Sequence, residues 1–181
     1  MSYLKVYKDS DPSNVLIETG EHAHIAEVLK GEGVRFEQWS AAHPVTIDST
    51  QEQVLEAYKA DIDRLKKEGG YVTADVINLR ETHPDKDALR KKFLSEHRHS
   101  EDEVRFFVEG QGLFCLHLGE KVYAVTCKKG DLISVPASSK HWFDMGDRPN
   151  FAAIRLFTNP DGWVANFTGD GIADQFPKLA Y

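Results

Sequence analysis

From Glu103 to Phe157 the chain is a succession of short apolar runs cut by glycine. The runs are Glu103–Glu109, Leu113–Leu118, Val122–Cys127, Leu132–Val135, His141–Met145 and Ala152–Phe157, with Gly110-Gln111-Gly112, Gly119-Glu120 and Lys129-Gly130-Asp131 between them. Runs of that length, rich in β-branched and aromatic residues and separated by turn chemistry, are antiparallel strands. Short strands at this density predict a jelly-roll β-barrel. The first half is more helical. Ile25, Val28 and Leu29 share one face of a helix over Glu21–Lys30 that Gly31 stops. Ser49-x-x-Glu52 reads as a capping box for a helix carrying Val54, Leu55, Tyr58, Ile62 and Leu65 and ending at Gly69-Gly70. A short helix runs through Leu89 and Phe93, with Pro84 in its first turn, and strands are expected at Tyr3–Tyr7, Val34–Trp39 and Val72–Leu79. The expectation is a mainly β chain with helices packed outside a barrel. It comprises a helix-rich part over about 1–96, a barrel core over about 97–158 and an aromatic tail over 159–181, with Trp163 and Phe167 covering a barrel edge or mouth. No repeat or linker divides the 181 residues, so one domain is expected.

Just before the first barrel strand stands His97-Arg98-His99-Ser100-Glu101-Asp102-Glu103, answered by His141. His97, His99 and Glu103 share the parity of an extended chain, which would aim all three at one point. Three neutral nitrogens and a carboxylate suit iron, nickel, manganese or zinc and suit calcium poorly. His22-Ala23-His24 has the same local spacing. It falls in a helical segment, where residues two apart diverge, and reads as structural. The same parity puts Arg105 and Phe107 on the face of Glu103, and Phe143 on that of His141. Glu96 and Asp102, at opposite parity, face away. His117 reads as an ordinary strand histidine.

These residues carry a resemblance to the cupins, metal-binding β-barrels whose first motif is G-x5-H-x-H-x3or4-E-x6-G and whose second is G-x5-P-x-G-x2-H-x3-N. His97, His99, Glu103 and Gly110 fit the first, and Gly130, Pro136 and His141 fit the second. Lys91, Ser138 and Met145 depart from the pattern at positions that are not ligands. The strings EHRHSEDEVRFFVEGQGLFCLHLG, DLISVPASSKHWFDMG and FAAIRLFTNPDGWVANFTGD further resemble bacterial-type acireductone dioxygenases, and GVRFEQW extends the likeness towards the N-terminus.

The resemblance implies a cupin jelly-roll holding one Fe(II) or Ni(II) per chain on His97, His99, Glu103 and His141. It implies O2-dependent cleavage of 1,2-dihydroxy-5-(methylthio)pent-1-en-3-one in methionine salvage. With iron the products would be formate and 4-methylthio-2-oxobutanoate. With nickel they would be formate, carbon monoxide and 3-(methylthio)propanoate. Arg105 would stabilise the substrate dianion: a divalent ion, three neutral imidazoles and one carboxylate sum to one positive charge, a doubly ionised enediolate reverses it, and the guanidinium restores neutrality. Glu96 would assist metal loading and Asp102 would couple its loop to the pocket. Phe93, Phe107, Phe143 and Trp163 would enclose the methylthio chain.

Two other classes share this ligand pattern: a different metal-dependent cupin enzyme, such as an isomerase or decarboxylase, and a non-catalytic cupin that binds a small ligand. The net charge of −7 argues against nucleic acid or an anionic membrane as partner, and the partners the resemblance implies are a small-molecule acireductone and O2. Cys115 and Cys127, the only cysteines, form no C-x-x-C pair, and the N-terminal segment lacks the apolar run of a signal peptide. A monomer in the cytoplasm is therefore expected.

Overall fold

A computed structural model describes residues 1–41, 43–159, 161 and 164–180. Two antiparallel sheets face one another. One contains β1 (Tyr3–Lys8), β2 (Asp11–Thr19), β5 (His97–Arg98), β7 (Gln111–Leu118), β8 (Lys121–Lys128), β10 (Lys140–Asp144) and β12 (Asn166–Phe167), in the order β12-β5-β10-β7-β8-β1-β2. The other contains β3 (Arg35–Gln38), β4 (Thr73–Arg80), β6 (Glu103–Glu109), β9 (Asp131–Val135) and β11 (Asn150–Phe157), in the order β3-β9-β6-β11-β4. Inward residues of both sheets, among them Leu4, Phe114, Leu116, Val125, Ile133 and Phe151, form one apolar core. This is the cupin jelly-roll expected of the chain. The barrel is not confined to 97–158, however: β1, β2, β3 and β4 are members of the same two sheets.

The helices lie outside, as patterned. Helix α2 (Gln51–Ala57) and helix α3 (Lys59–Gly69) lay Val54, Tyr58, Ile62 and Leu65 on Val104, Phe106 and Val108, the outer face of β6. Strand β6 is therefore buried on both faces, which is why its sequence does not alternate between apolar and polar. The capping box is one residue later than Ser49 and Glu52: Thr50 Oγ1 accepts from Gln53 N at 3.1 Å and Gln53 Oε1 from Thr50 N at 2.8 Å. Ser49 Oγ is occupied by Thr46 N. The expected single helix breaks at Tyr58. Helix α1 (His22–Lys30) contains the His22/His24 pair, and the His22 ring stacks on Phe36. Helix α4 is Lys86–Leu94, so Pro84 lies in the turn before it rather than in its first turn. Strand β2 was not anticipated. It is an edge strand with Val15 and Leu16 exposed, and its mixed pattern carries no clear period. The tail pairs β12 with β5 and packs Ile172, Ala173 and Phe176 over the outer face of the seven-stranded sheet.

Candidate metal centre

The geometry that gathers the site differs from one extended strand. Strand β5 holds only His97 and Arg98, and the chain then crosses to the opposite sheet, where Glu103 opens β6. His97 is registered directly against His141 of β10, so two imidazoles come from one sheet. His99 lies in the crossing loop, and Glu103 comes from the facing sheet. Convergence is thus a product of the crossover, not of strand parity alone.

The ligand nitrogens of His97, His99 and His141 lie within 4.8 Å of one another, and all three side chains are buried. In each ring Nδ1 meets a backbone carbonyl: His97 that of Ser95 at 2.7 Å, His99 that of Val164 at 3.0 Å and His141 that of Ser139 at 2.8 Å. A carbonyl can only accept, so Nδ1 carries the proton in all three and the Nε2 lone pair is left for the site. Burial, the largest influence, lowers the pKa of His97, and it lowers that of His141 to about 3. Neutral imidazoles with a fixed tautomer are the form that binds a metal. Glu103 Oε2 stands 3.2 Å from His99 Nε2 and 4.0 Å from His141 Nε2. Burial alone would raise the Glu103 pKa, but Arg105 and the neighbouring histidines bring it down to about 2. Glu103 Oε2 and His141 Nε2 are both buried without a hydrogen-bond partner. Orphaned buried acceptors facing one another are costly unless a cation lies between them, so the donor set fits a transition-metal ion.

Arg105 is 4% exposed and donates from Nη2 to Glu103 Oε1 at 2.6 Å. Its guanidinium carbon sits over two neighbouring rings, 4.8 Å from the Phe114 centroid and 4.9 Å from that of Phe143. Nε and Nη1 make no hydrogen bond, so the guanidinium keeps unpaired N–H donors for an anion.

Beside these groups is a cavity of about 180 Å³, reached by Phe93, Phe143, Phe114 and Ile77 on its apolar side and by Arg155 and Lys92 on its charged side. Phe107 is absent from this lining: it is fully buried and packs against Phe143 and Phe151 in the core. Trp163 lies outside the described residues. Phe114, Ile77 and Arg155 were not picked out from the sequence. Arg155 shares inward parity with Phe151 and Phe157 and is registered against Arg105, and its charge is met by a bidentate pair with Asp75 at 2.9 and 2.6 Å. Asp102, exposed, accepts from Ala137 N at 2.7 Å and so ties the loop after His99 to the loop before His141. In that second loop Ser138, at the position of the motif glycine, holds φ 64° and donates its N–H to His99 O at 2.9 Å. Glu96 does face away from the metal centre, yet it is not solvated: it is 1% exposed and bonded to His117.

The family model for the ARD/ARD′ family matches residues 3–165. The chain belongs to the ARD/ARD′ family. Among ARD/ARD′ relatives, acireductone dioxygenase of Alcanivorax borkumensis is 59% identical over 179 residues, and that of Stutzerimonas stutzeri is 58% identical over 179, each match covering 99% of both chains. A solved acireductone dioxygenase from Bacillus anthracis, described with a cadmium ion in its active center, superposes with a TM-score of 0.80 at 29% identity, covering 92% of this chain and 98% of that one.

Proposed function

We propose that this chain is a metal-dependent acireductone dioxygenase of methionine salvage, acting on 1,2-dihydroxy-5-(methylthio)pent-1-en-3-one and O2. The observation that carries this reading is the buried histidine trio with a shared Nδ1 tautomer, in a chain whose full-length relatives bear that activity. His97, His99, His141 and Glu103 would hold one ion, iron(II) or nickel(II). When bound, the ion supplies Lewis-acid polarisation of the substrate oxygens and access to redox chemistry.

The remaining work falls to side chains. Arg105 would offer an unpaired N–H, from Nε or from Nη1, to the ionised enediol while Nη2 stays on Glu103, so the same guanidinium neutralises the dianion and keeps the carboxylate oriented. Ile77, Phe93 and Phe143 receive the methylthio chain and keep water from the reacting carbons. In this reading iron(II) loading gives formate and 4-methylthio-2-oxobutanoate, and nickel(II) loading gives formate, carbon monoxide and 3-(methylthio)propanoate. Two buried free thiols suit the reducing cytoplasm, and among the described residues no helix is long and apolar enough to cross a membrane. Reconstituting metal-free protein with iron(II) or nickel(II) and following oxygen uptake and products by mass spectrometry tests the assignment. Turnover of the acireductone with formate release is expected; no oxygen uptake with either metal would overturn it.

A further inference from the structure

Behind the metal centre, on the outer face of the seven-stranded sheet, a buried histidine is held between two carboxylates, one buried and one half-buried. His117 Nδ1 meets Glu96 Oε2 at 2.7 Å and His117 Nε2 meets Asp9 Oδ2 at 3.0 Å. Glu96 is 1% and His117 6% exposed. Each ring nitrogen faces a carboxylate oxygen, so one imidazole links the two acidic side chains. The other Glu96 oxygen accepts from Thr168 Oγ1 at 2.8 Å, and the Glu96 carbonyl accepts from Thr168 N at 3.1 Å. Asp9 is fixed in turn, its N–H donating to Glu120 O at 3.0 Å.

Burying polar groups such as Glu96 and His117 costs desolvation that well-packed apolar residues would avoid, so overall stability is a poor reason for them. Their position gives a better one. Glu96 immediately precedes His97 on a strand of two residues, which is registered to β10 through His97 alone. A strand that short is weakly held by its ladder. Successive side chains point to opposite faces, so anchoring Glu96 outside to a residue of β7, beyond β10, fixes the rotation and depth of His97 inside.

We infer that Asp9 and His117 are positioning residues: through Glu96 they clamp β5 so that His97 meets the metal in register with His99 and His141. The inference rests on the metal-site reading above and extends it to residues that touch neither metal nor substrate. It is tested by titrating metal-free protein with cobalt(II), whose visible spectrum reports ligand geometry, in His117→Leu, His117→Gln and Asp9→Asn proteins. Outer partners of ligating histidines change metal affinity by about 10–100-fold, and a comparable loss is expected in His117→Leu, with a shifted cobalt band. His117→Gln, which retains one donor towards Glu96, should recover part of the affinity, and Asp9→Asn should lose about tenfold or less by the same reasoning. Val54→Ala, on the far side of the barrel, is the control: it should lower the melting temperature without moving the cobalt affinity or spectrum. Wild-type affinity and spectrum in both His117→Leu and Asp9→Asn would overturn the clamp, as would an equal loss in Val54→Ala. If the unaltered protein itself takes up no cobalt, the metal-site reading falls and the clamp with it.

Discussion

Replacing Arg105 by Met separates its two tasks. The guanidinium is 4% exposed, gives one donor to Glu103 at 2.6 Å and keeps two donors unpaired beside the cavity. In the metal-free protein the substitution leaves the Glu103 carboxylate buried without its cation. Breaking a buried pair in this way costs about 3–5 kcal/mol. With metal bound, the ion compensates Glu103, so the stability loss should shrink while metal content stays near one per chain. The loss in catalysis should be larger and separate. Removing a preorganised donor to developing or resident negative charge costs about 10²–10³ in turnover, or about 3–4 kcal/mol of barrier. Arg105→Lys keeps the charge but loses the planar fork that spreads donors between Glu103 and the substrate, so an intermediate loss is expected. Oxygen uptake per bound metal, measured beside thermal melts with and without metal, resolves these effects. Normal turnover per metal in Arg105→Met, with stability alone affected, would refute the dianion role and leave Arg105 as a partner of Glu103 only.

Three further outcomes follow from the packing and charges. In Gly112→Ala the new methyl would collide with the Phe143 ring, which can yield only towards the cavity or the core; a loss of about 1–3 kcal/mol in denaturant melts and a raised KM for the acireductone are expected. Thr50→Ala removes the true cap of α2 and should cost about 1 kcal/mol, whereas Ser49→Ala, read as the cap from sequence, should cost less. Acidifying the metal-free protein should destabilise it progressively below about pH 6.5. His97 and His141 are neutral when folded and take up protons on unfolding, and Glu103, with a folded pKa of about 2, contributes stability that fades as pH falls below the ordinary carboxylate range. Urea melts that strengthen between pH 6.5 and pH 4 would contradict that sign.

The six strands from Glu103 to Phe157 were legible because glycine turns bracket β-branched runs, and each is present within a residue or two of its expected bounds, whereas the two-residue β12 in the tail was not foreseen. Strand β2 was not, since an exposed edge strand carries no apolar period. Local chemistry also misled by small margins: Ser49 and Thr50 both satisfy a cap pattern, and only packing decides which one opens the helix. At the site, the three histidines could be grouped from spacing and resemblance, but the reason they meet could not. It depends on a chain crossing between sheets and on the β5 to β10 register, which are long-range facts. Arg155 and Phe114 enter the cavity through the same kind of register. His117 reads as an ordinary strand histidine because its partners, Glu96 and Asp9, are brought to it from distant parts of the chain.

Metal stoichiometry tests the central claim most directly. Metal-free protein incubated with iron(II) under anaerobic conditions, then desalted and analysed by plasma mass spectrometry, should retain one ion per chain, while His99→Ala, folded by circular dichroism, should retain almost none. Full occupancy in His99→Ala would show that the metal lies elsewhere and would contradict the account.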